Sequence, residues 1–223
     1  MIEIENWTHD LVSHLQAIFS DKLLFVGLQG SYRRGEATES SDIDLVTVLE
    51  TLSLAGLKKY REIIASMPEH EKACGFVCGK MDLYHWPRHE LFQLLQDTDA
   101  CYGSLAPLLP PVTAGDIANS IKIEAANLYH GVCHLYLYES ADAEKLKVFY
   151  KSAFFILQLL QYQRTGEYVH TKRELLTRLN GEEQTILSIS ADWEAFLQER
   201  HAHPEKFFDS LLRWASKILR QSA

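Results

Sequence analysis

The sequence lacks both a membrane span and a basic surplus. The chain has 223 residues and is 47% hydrophobic, yet no apolar run approaches the ~20 residues that a transmembrane helix requires. Its formal net charge is -8, whereas proteins that hold long nucleic acids by their phosphates usually present a basic face. We therefore expect neither a membrane nor a nucleic-acid template as a partner.

Cysteine is scarce as well. The four cysteines include one pair four residues apart, Cys74 and Cys78, without the second pair that a metal-binding pattern needs. The first residues, MIEIENWTHD, are acidic and polar, which is not the pattern of a signal peptide. These features favour free thiols in a reducing compartment, and we expect a cytoplasmic protein.

The first hundred residues alternate between helical and strand-like patterns. Amphipathic spacing predicts helices and short apolar runs predict strands, in the order helix 7–20, strand 23–27, strand 42–49, helix 53–66, strand 80–85 and helix 87–97. Alternating short strands and helices of this kind predict a small sheet covered by helices.

The pattern changes after a proline-rich segment, LAPLLPPVTAGD (105–116), which reads as a connection between domains. Beyond it the sequence is helical, with long apolar helices predicted over 116–138 and 143–163 and a C-terminal helix that begins at Pro204. We expect an α+β protein: a small mixed-sheet domain over 1–108, followed by an all-α helical bundle over 109–223 that binds substrate.

The chemistry is concentrated in GSYRRGEATESSDID (30–44), between the first two strands. Glycine lets a backbone approach a ligand closely, and amide groups at the start of a helix suit a phosphate. Gly30 and Ser31 therefore form a candidate phosphate cradle, to which the serine adds a hydroxyl donor. Arg33 and Arg34 place positive charge nearby, although a solvated turn explains them equally well.

Two aspartates stand one residue apart where the second strand begins. Residues i and i+2 of a strand share a face, so Asp42 and Asp44 face one way, with Ile43 and Leu45 on the other. Two adjacent carboxylates repel unless a cation lies between them, and Mg²⁺ is typically held by a few carboxylates plus substrate phosphates. A third acid, Asp82, lies within the predicted strand 80–85. Three aspartates converging on one or two Mg²⁺ ions fit nucleotidyl transfer.

This region resembles the nucleotidyltransferases of the polymerase-β type. The segment GSYRRGEATESSDIDL is similar in sequence to the corresponding segment of minimal nucleotidyltransferases and of aminoglycoside adenylyltransferases. The helical half is similar to theirs only in architecture. The resemblance implies an ATP-using transferase that moves a nucleoside monophosphate to a hydroxyl of a small-molecule acceptor and releases pyrophosphate.

The resemblance also implies roles for individual residues. Gly30, Ser31 and Ser41 correspond to triphosphate contacts, and Arg34 lies beside them. Asp42 and Asp44 correspond to metal ligands. Asp82 corresponds to a third carboxylate, acting either as a metal ligand or as the base for the acceptor hydroxyl, and the sequence leaves both open. Lys151, in the helical half, corresponds to a lysine that reaches the γ-phosphate; a lysine at a helix edge is the alternative.

Other readings stay open on the sequence alone. Glu124 is a candidate for binding a cationic acceptor, although a solvated helix face explains it more simply. Arg164 and His170 have the spacing of the ribonuclease motif of helical HEPN proteins, but the intervening glycine indicates a helix end. Two other functions compete: an antitoxin-type nucleotidyltransferase that modifies a HEPN toxin, and a nucleotide-binding protein without catalysis. The acceptor, the base preference and the oligomeric state are not determined.

Overall fold

The computed structural model describes residues 2–139 and 142–221. The chain folds as two compact units, Met1–Val112 and Thr113–Ala223. The first contains a four-stranded sheet with helices, and in the second every element among the described residues is a helix. The expected fold class, a small mixed-sheet domain followed by an all-α region, is confirmed. In the part of the chain that the structure describes, none of the helices combines the length and the hydrophobicity of a membrane span.

The first unit begins with a helix and a strand in the predicted places. Its elements follow one another as α1 (Ile4–Phe19), β1 (Leu23–Leu28), α2 (Gly30–Arg33), β2 (Ile43–Leu49), α3 (Leu54–Ser66), β3 (Ala73–Gly79), α4 (Lys80–Tyr84), α5 (Arg88–Gln96) and β4 (Asp99–Gly103). Ser53 caps α3 through its hydroxyl, which accepts from the Gly56 amide. Such a bond satisfies one of the amides that every helix leaves unpaired at its start.

The four strands lie in the order β3-β2-β1-β4. β1 is antiparallel to both of its neighbours, whereas β2 and β3 are parallel. The sheet is therefore mixed, with β1 and β2 at its centre. Leu28 is paired with Leu45 on one side and with Asp99 on the other, so the end of β1 lies between the start of β2 and the start of β4.

Both faces of the central strands are buried, as alternation along β2 predicts. Ile43 and Leu45 belong to a core shared with α1 and α3. Val46 and Val48 belong to a second core, which contains Leu83 and Leu91 from α4 and α5. This double covering fixes the register of β2, because a slip by one residue would exchange its two faces.

The third predicted strand is wrong. Lys80–His85 was expected to be extended, but Lys80–Tyr84 forms the short helix α4 and the strand is Ala73–Gly79. Parallel pairing with β2 over its whole length, from Ile43 with Ala73 to Leu49 with Gly79, stabilises this segment as a strand. Strand β4 is an addition that the sequence patterns did not predict.

The second unit contains the expected long helices. They are α6 (Ala114–Tyr138), α7 (Lys147–Thr165), α8 (Lys172–Arg178), α9 (Gly181–Ala191), α10 (Leu197–Ala202) and α11 (Pro204–Gln221). Thr113 and Asp116 form a capping box at the start of α6. Gly166, at a positive φ of 75°, caps the end of α7, which confirms the helix end predicted inside RTGEYVH. Arg164, just before it, is bound by both nitrogens to Glu183 at 2.7 Å.

A buried arginine, Arg200, contacts two other segments of this second unit, through Glu144 and Trp193. Arg200 is fully buried and donates to Glu144, with 2.8 Å between Nη2 and Oε1. Its guanidinium also lies over the Trp193 ring, 4.1 Å from the centroid. Burial alone would raise the pKa of Glu144, but hydrogen bonds from Trp193 and Arg200 outweigh it and lower that pKa. A buried charge needs such a partner.

Candidate active site

The candidate site lies where β1 ends and β2 begins. The Gln29 amide donates to the carbonyl oxygen of Asp44 at 2.8 Å, which extends the pairing of the two strands beyond Leu28 and Leu45. The chain then turns into α2, whose Tyr32 is buried in the core shared with Ile43 and Leu45. The Gly-Ser turn and the first residues of β2 are therefore held side by side.

Gly30 lies directly against the carboxylate of Asp44. A Cβ atom at residue 30 would lie 1.9 Å from Oδ2 of Asp44, and the residue has a φ of +68°. Both facts require glycine, because a methyl group would overlap the carboxylate and a positive φ is strained for other residues. The absence of a side chain at residue 30 thus creates the space that the Asp44 carboxylate occupies.

Asp42 and Asp44 lie at the beginning of the second strand, which starts one residue later than predicted. Asp42 precedes β2 and is exposed, whereas Asp44 is partly buried within the strand. Of the two, the structure places the Asp44 carboxylate next to Gly30. Residues i and i+2 of an extended chain share a face, so we expect Asp42 to lie on the same side. Carboxylate oxygens are the hard ligands that Mg²⁺ prefers. Two such groups fit a metal that obtains its other ligands from phosphates and water.

The structure does not bring Asp82 to this site. Asp82 lies on α4, just beyond the end of β3, whereas Asp44 is paired with Cys74 near the start of β3. Gly79 lies five residues beyond Cys74 along the strand, which is roughly 16 Å at the usual rise per residue. The expectation of three converging aspartates is therefore not met. Among the residues that the structure describes, no group of three or more His, Cys, Asp or Glu side chains is able to hold a metal ion.

Asp82 has surroundings of its own. A Cβ added at Gly79 would lie 2.6 Å from its Oδ2. Burial, and then the negative charge of Asp82, raise the pKa of the Cys78 thiol to about 12. The Asp82 carboxylate thus affects Cys78 at the end of β3, the end away from Asp44. A separate ion pair, Lys80 with Glu50 at 3.9 Å, lies at the same end.

The two arginines of the turn are engaged in ion pairs. Nε of Arg34 lies 2.9 Å from Glu36, and its side chain is only 7% exposed. Nε of Arg33 lies 3.1 Å from Asp99, and its Nη1 lies 3.6 Å from Asp97. Neither side chain extends into solvent, so the solvated turn that the sequence left open does not describe Arg33 or Arg34.

The remaining predicted contacts occupy different places. Ser31 is partly buried on α2. The Ser41 hydroxyl accepts from the Thr38 amide at 2.8 Å and so closes the turn that leads into β2. Lys151 is exposed on α7 and Glu124 is partly buried on α6, both in the second unit. Their roles toward ligands stay predictions.

The acidic partners of Arg33 were missed from the sequence. Asp97 and Asp99 lie 64 and 66 residues beyond Arg33, on the segment that joins α5 to β4. No local periodicity connects positions so far apart. The segment QDTDA places two acids around a threonine, but without the unpredicted strand β4 nothing indicates that they face the turn.

Comparison with known proteins agrees with this geometry. Residues 12–72 match the family model of the nucleotidyltransferase domain, a segment that contains β1, α2 and β2. No curated protein matches the chain. A similar solved structure is the spectinomycin adenyltransferase of Enterococcus faecialis with ATP and spectinomycin, at a TM-score of 0.60 and 12% identity over 96% of this chain and 98% of that one. The match to the domain confirms the resemblance and supports a nucleotidyltransferase.

Proposed function

We propose, from the premise that residues 12–72 form a nucleotidyltransferase domain, that this protein transfers a nucleoside monophosphate to a hydroxyl group of a small molecule. The donor is ATP, Mg²⁺ is required and pyrophosphate is released. The single observation that supports this best is the position of the Asp44 carboxylate against Gly30. It joins a candidate metal ligand to a candidate phosphate-binding turn within one short segment.

Asp42 and Asp44 would hold the metal. Both present oxygen atoms at the start of β2, and the side chain missing from residue 30 leaves room for Asp44. When bound, Mg²⁺ supplies positive charge that neutralises the triphosphate and the pyrophosphate that leaves. The residues fit this ion as a pair of ligands, with phosphate oxygens and water completing its shell.

The protein's own residues bind and orient the donor. The backbone of Gly30 and Ser31, together with the Ser31 hydroxyl, would contact the phosphates, and Ser41 would contact them from the other end of the loop. In the reaction the acceptor oxygen forms a bond to the α-phosphorus while the bond from that phosphorus to the bridging oxygen breaks. Positioning supplies most of the catalysis in such a transfer.

A base must accept the proton of the acceptor hydroxyl, and we assign this role to none of the three predicted aspartates. A carboxylate whose lone pairs are bound to a metal is a poor base. Asp82 lies beyond the far end of β3. We therefore assign Asp42 and Asp44 to metal binding and leave Asp82 out of the proposed machinery.

Similarity of the whole fold supports the proposed acceptor class. The structural match with the spectinomycin adenyltransferase covers nearly the full length of both chains. That protein was crystallised with ATP and spectinomycin. This supports ATP as the donor, a small hydroxylated acceptor and an acceptor-binding role for the helical unit. An antitoxin-type reaction on a protein would use the same donor site, so it differs only in the acceptor.

The first experiment measures thermal stability with ATP, GTP, CTP or UTP, each with and without Mg²⁺. A ligand at 100 times its Kd stabilises a protein by about 2.7 kcal/mol. We expect a Mg²⁺-dependent increase in Tm with ATP that Asp44→Ala abolishes and Asp82→Asn preserves. Pyrophosphate release with a panel of hydroxylated acceptors then tests catalysis. No shift with any nucleotide contradicts the proposal, and binding without release indicates a nucleotide-binding protein.

A further inference from the structure

The Gly-Ser turn is held on the side away from Asp44 by a set of polar contacts. The segment Asp97–Asp99, which follows α5 and begins β4, provides them. We propose that Arg33 and Asp97 are positioning residues, which fix the backbone of Gly30 and Ser31 against Asp44 so that the turn can receive a triphosphate. The proposal rests on the proposed function and concerns residues to which neither the motif nor the comparisons assign a role.

The first contact is made by the neighbour of Gly30. The Gln29 side-chain amide donates to the Thr98 hydroxyl at 2.8 Å, and that hydroxyl donates in turn to the Leu94 carbonyl of α5. A Cβ at Gly27 would lie 2.3 Å from the Thr98 methyl group, so Thr98 packs closely on β1. These contacts fasten the end of β1 to α5.

The second contact is the ion pair at the end of α2. Arg33 bridges Asp99, 3.1 Å from its Nε, and Asp97, 3.6 Å from its Nη1. The side chains of Arg33 and Asp97 are 10% and 9% exposed. A buried carboxylate is costly without a nearby cation, so removing Arg33 takes away a group that stabilises Asp97. The ion pair with the buried Asp97 therefore stabilises Arg33 in this position.

These contacts bracket the turn. On one side Gln29 binds the Asp44 carbonyl and Gly30 touches the Asp44 carboxylate. On the other side Gln29 and Arg33 are bound to Thr98, Asp97 and Asp99. Gly30 and Ser31 lie between these two anchors. Gly30 has a φ of +68°, which glycine adopts about as readily as a negative φ. Losing the outer anchor lets the turn relax away from Asp44.

The test uses Arg33→Ala, Asp97→Asn and the double variant, with Arg33→Lys as the conservative change. Lys72→Ala is the matched control, because it removes a different ion pair, with Glu69, from the same unit. Two readouts are made on the full chain: hydrogen exchange of the amides of residues 29–34, and the kinetics of Mg²⁺-ATP turnover well below the Tm.

Hydrogen exchange decides the positioning claim without any nucleotide. We expect about tenfold faster exchange of the Gln29 and Arg34 amides, which donate to the Asp44 and Gly30 carbonyls, in Arg33→Ala and Asp97→Asn. The double variant should show no further increase because the two residues act as one unit, and Arg33→Lys should show partial recovery. Lys72→Ala leaves this exchange unchanged. Equal exchange in wild type and Arg33→Ala overturns the proposal, whatever the nucleotide results.

Kinetics then shows whether the positioning matters for transfer. A misplacement of about 1 Å can lower a rate roughly a hundredfold, so we expect kcat to fall by about tenfold to a hundredfold with a smaller change in KM for ATP. A merely structural role would lower the active fraction and leave the pH profile and KM unaltered. If wild type itself binds no nucleotide, the proposed function fails while hydrogen exchange still decides the positioning claim. Faster exchange with unchanged kcat and KM overturns the link to transfer.

Discussion

The two ends of the sheet in the first unit have the same local design and different surroundings. At one end β1 leads through Gly30 into α2, and an Asp44 carboxylate lies over the glycine. At the other end β3 leads through Gly79 into α4, and an Asp82 carboxylate lies over that glycine. A strand, a glycine, a short helix and an aspartate are therefore not sufficient to define a nucleotide site.

The difference lies in the backbone and in the neighbouring groups. Gly30 has a φ of +68°, whereas Gly79 has an ordinary φ of -83°. Asp44 has a second aspartate two residues before it in the chain. Asp82 instead stands beside the buried thiol of Cys78. Only the first end combines a second carboxylate with a backbone that glycine alone adopts comfortably.

The largest expected effect comes from exchanging each aspartate for its amide. Asp44→Asn removes a charged metal ligand and should lower turnover by more than about a hundredfold, whereas Asp82→Asn should leave turnover within about twofold. Pyrophosphate release under saturating ATP measures both, and circular dichroism checks that each variant is folded. Comparable losses of turnover in the two variants would show that Asp82 takes part in catalysis. They would contradict the functional distinction between the two ends of the sheet.

A smaller effect is expected from the two glycines. Gly30→Ala places a methyl group on the Asp44 carboxylate at a positive φ, which should cost about 1–2 kcal/mol in the free energy of unfolding and most of the activity. Gly79→Ala meets the flexible end of Asp82 at 2.6 Å and the Leu52 amide nitrogen at 3.2 Å. It should lower stability modestly and keep activity.

Urea unfolding and turnover, measured together, separate the two glycine variants. Gly30→Ala should lose activity even at temperatures where it is fully folded, because the carboxylate is displaced. Full activity in folded Gly30→Ala would mean that the contact with Asp44 has no part in the chemistry.

The smallest effect concerns the Cys78 thiol. Burial, and then the negative charge of Asp82, raise its pKa to about 12. In a background with the other three cysteines replaced by serine, Asp82→Asn should therefore lower the Cys78 pKa, while burial keeps it above the ordinary value. Asp44→Asn should leave it unchanged. The pH dependence of alkylation measures this, and a shift on replacing Asp44 would contradict the separation of the two ends.

Much of the fold follows from local patterns. Helices α1 and α3 and strands β1 and β2 lie where apolar spacing places them, because each buries a continuous face. Strand β3 was missed because ACGFVCG contains two glycines and few large apolar residues, and its pairing with β2 stabilises it instead. Strand β4 is short and largely exposed, so alternation gives no signal there.

The candidate site was predictable to the extent that it is local. One short segment contains Gly30, Ser31, Asp42 and Asp44. The order of residue types within it is enough to predict that these residues lie close together. The place of Asp82 depended on assigning the third strand correctly, and an error of a few residues moved it from one end of the sheet to the other. The pairing of Arg33 with Asp97 depends on the position of β4, which no nearby sequence pattern reveals.

The central place of β1 and β2 also has a consequence for the order of assembly. Leu28 and Leu45 are 17 residues apart along the chain, whereas Val26 and Tyr102 are 76 apart. Closing the longer loop costs roughly 1 kcal/mol more in chain entropy, and local contacts generally form earlier in folding. The hairpin that carries Gly30, Asp42 and Asp44 is thus expected to form first. Its geometry would become final only when β4 docks and brings Asp97 and Asp99 to Arg33.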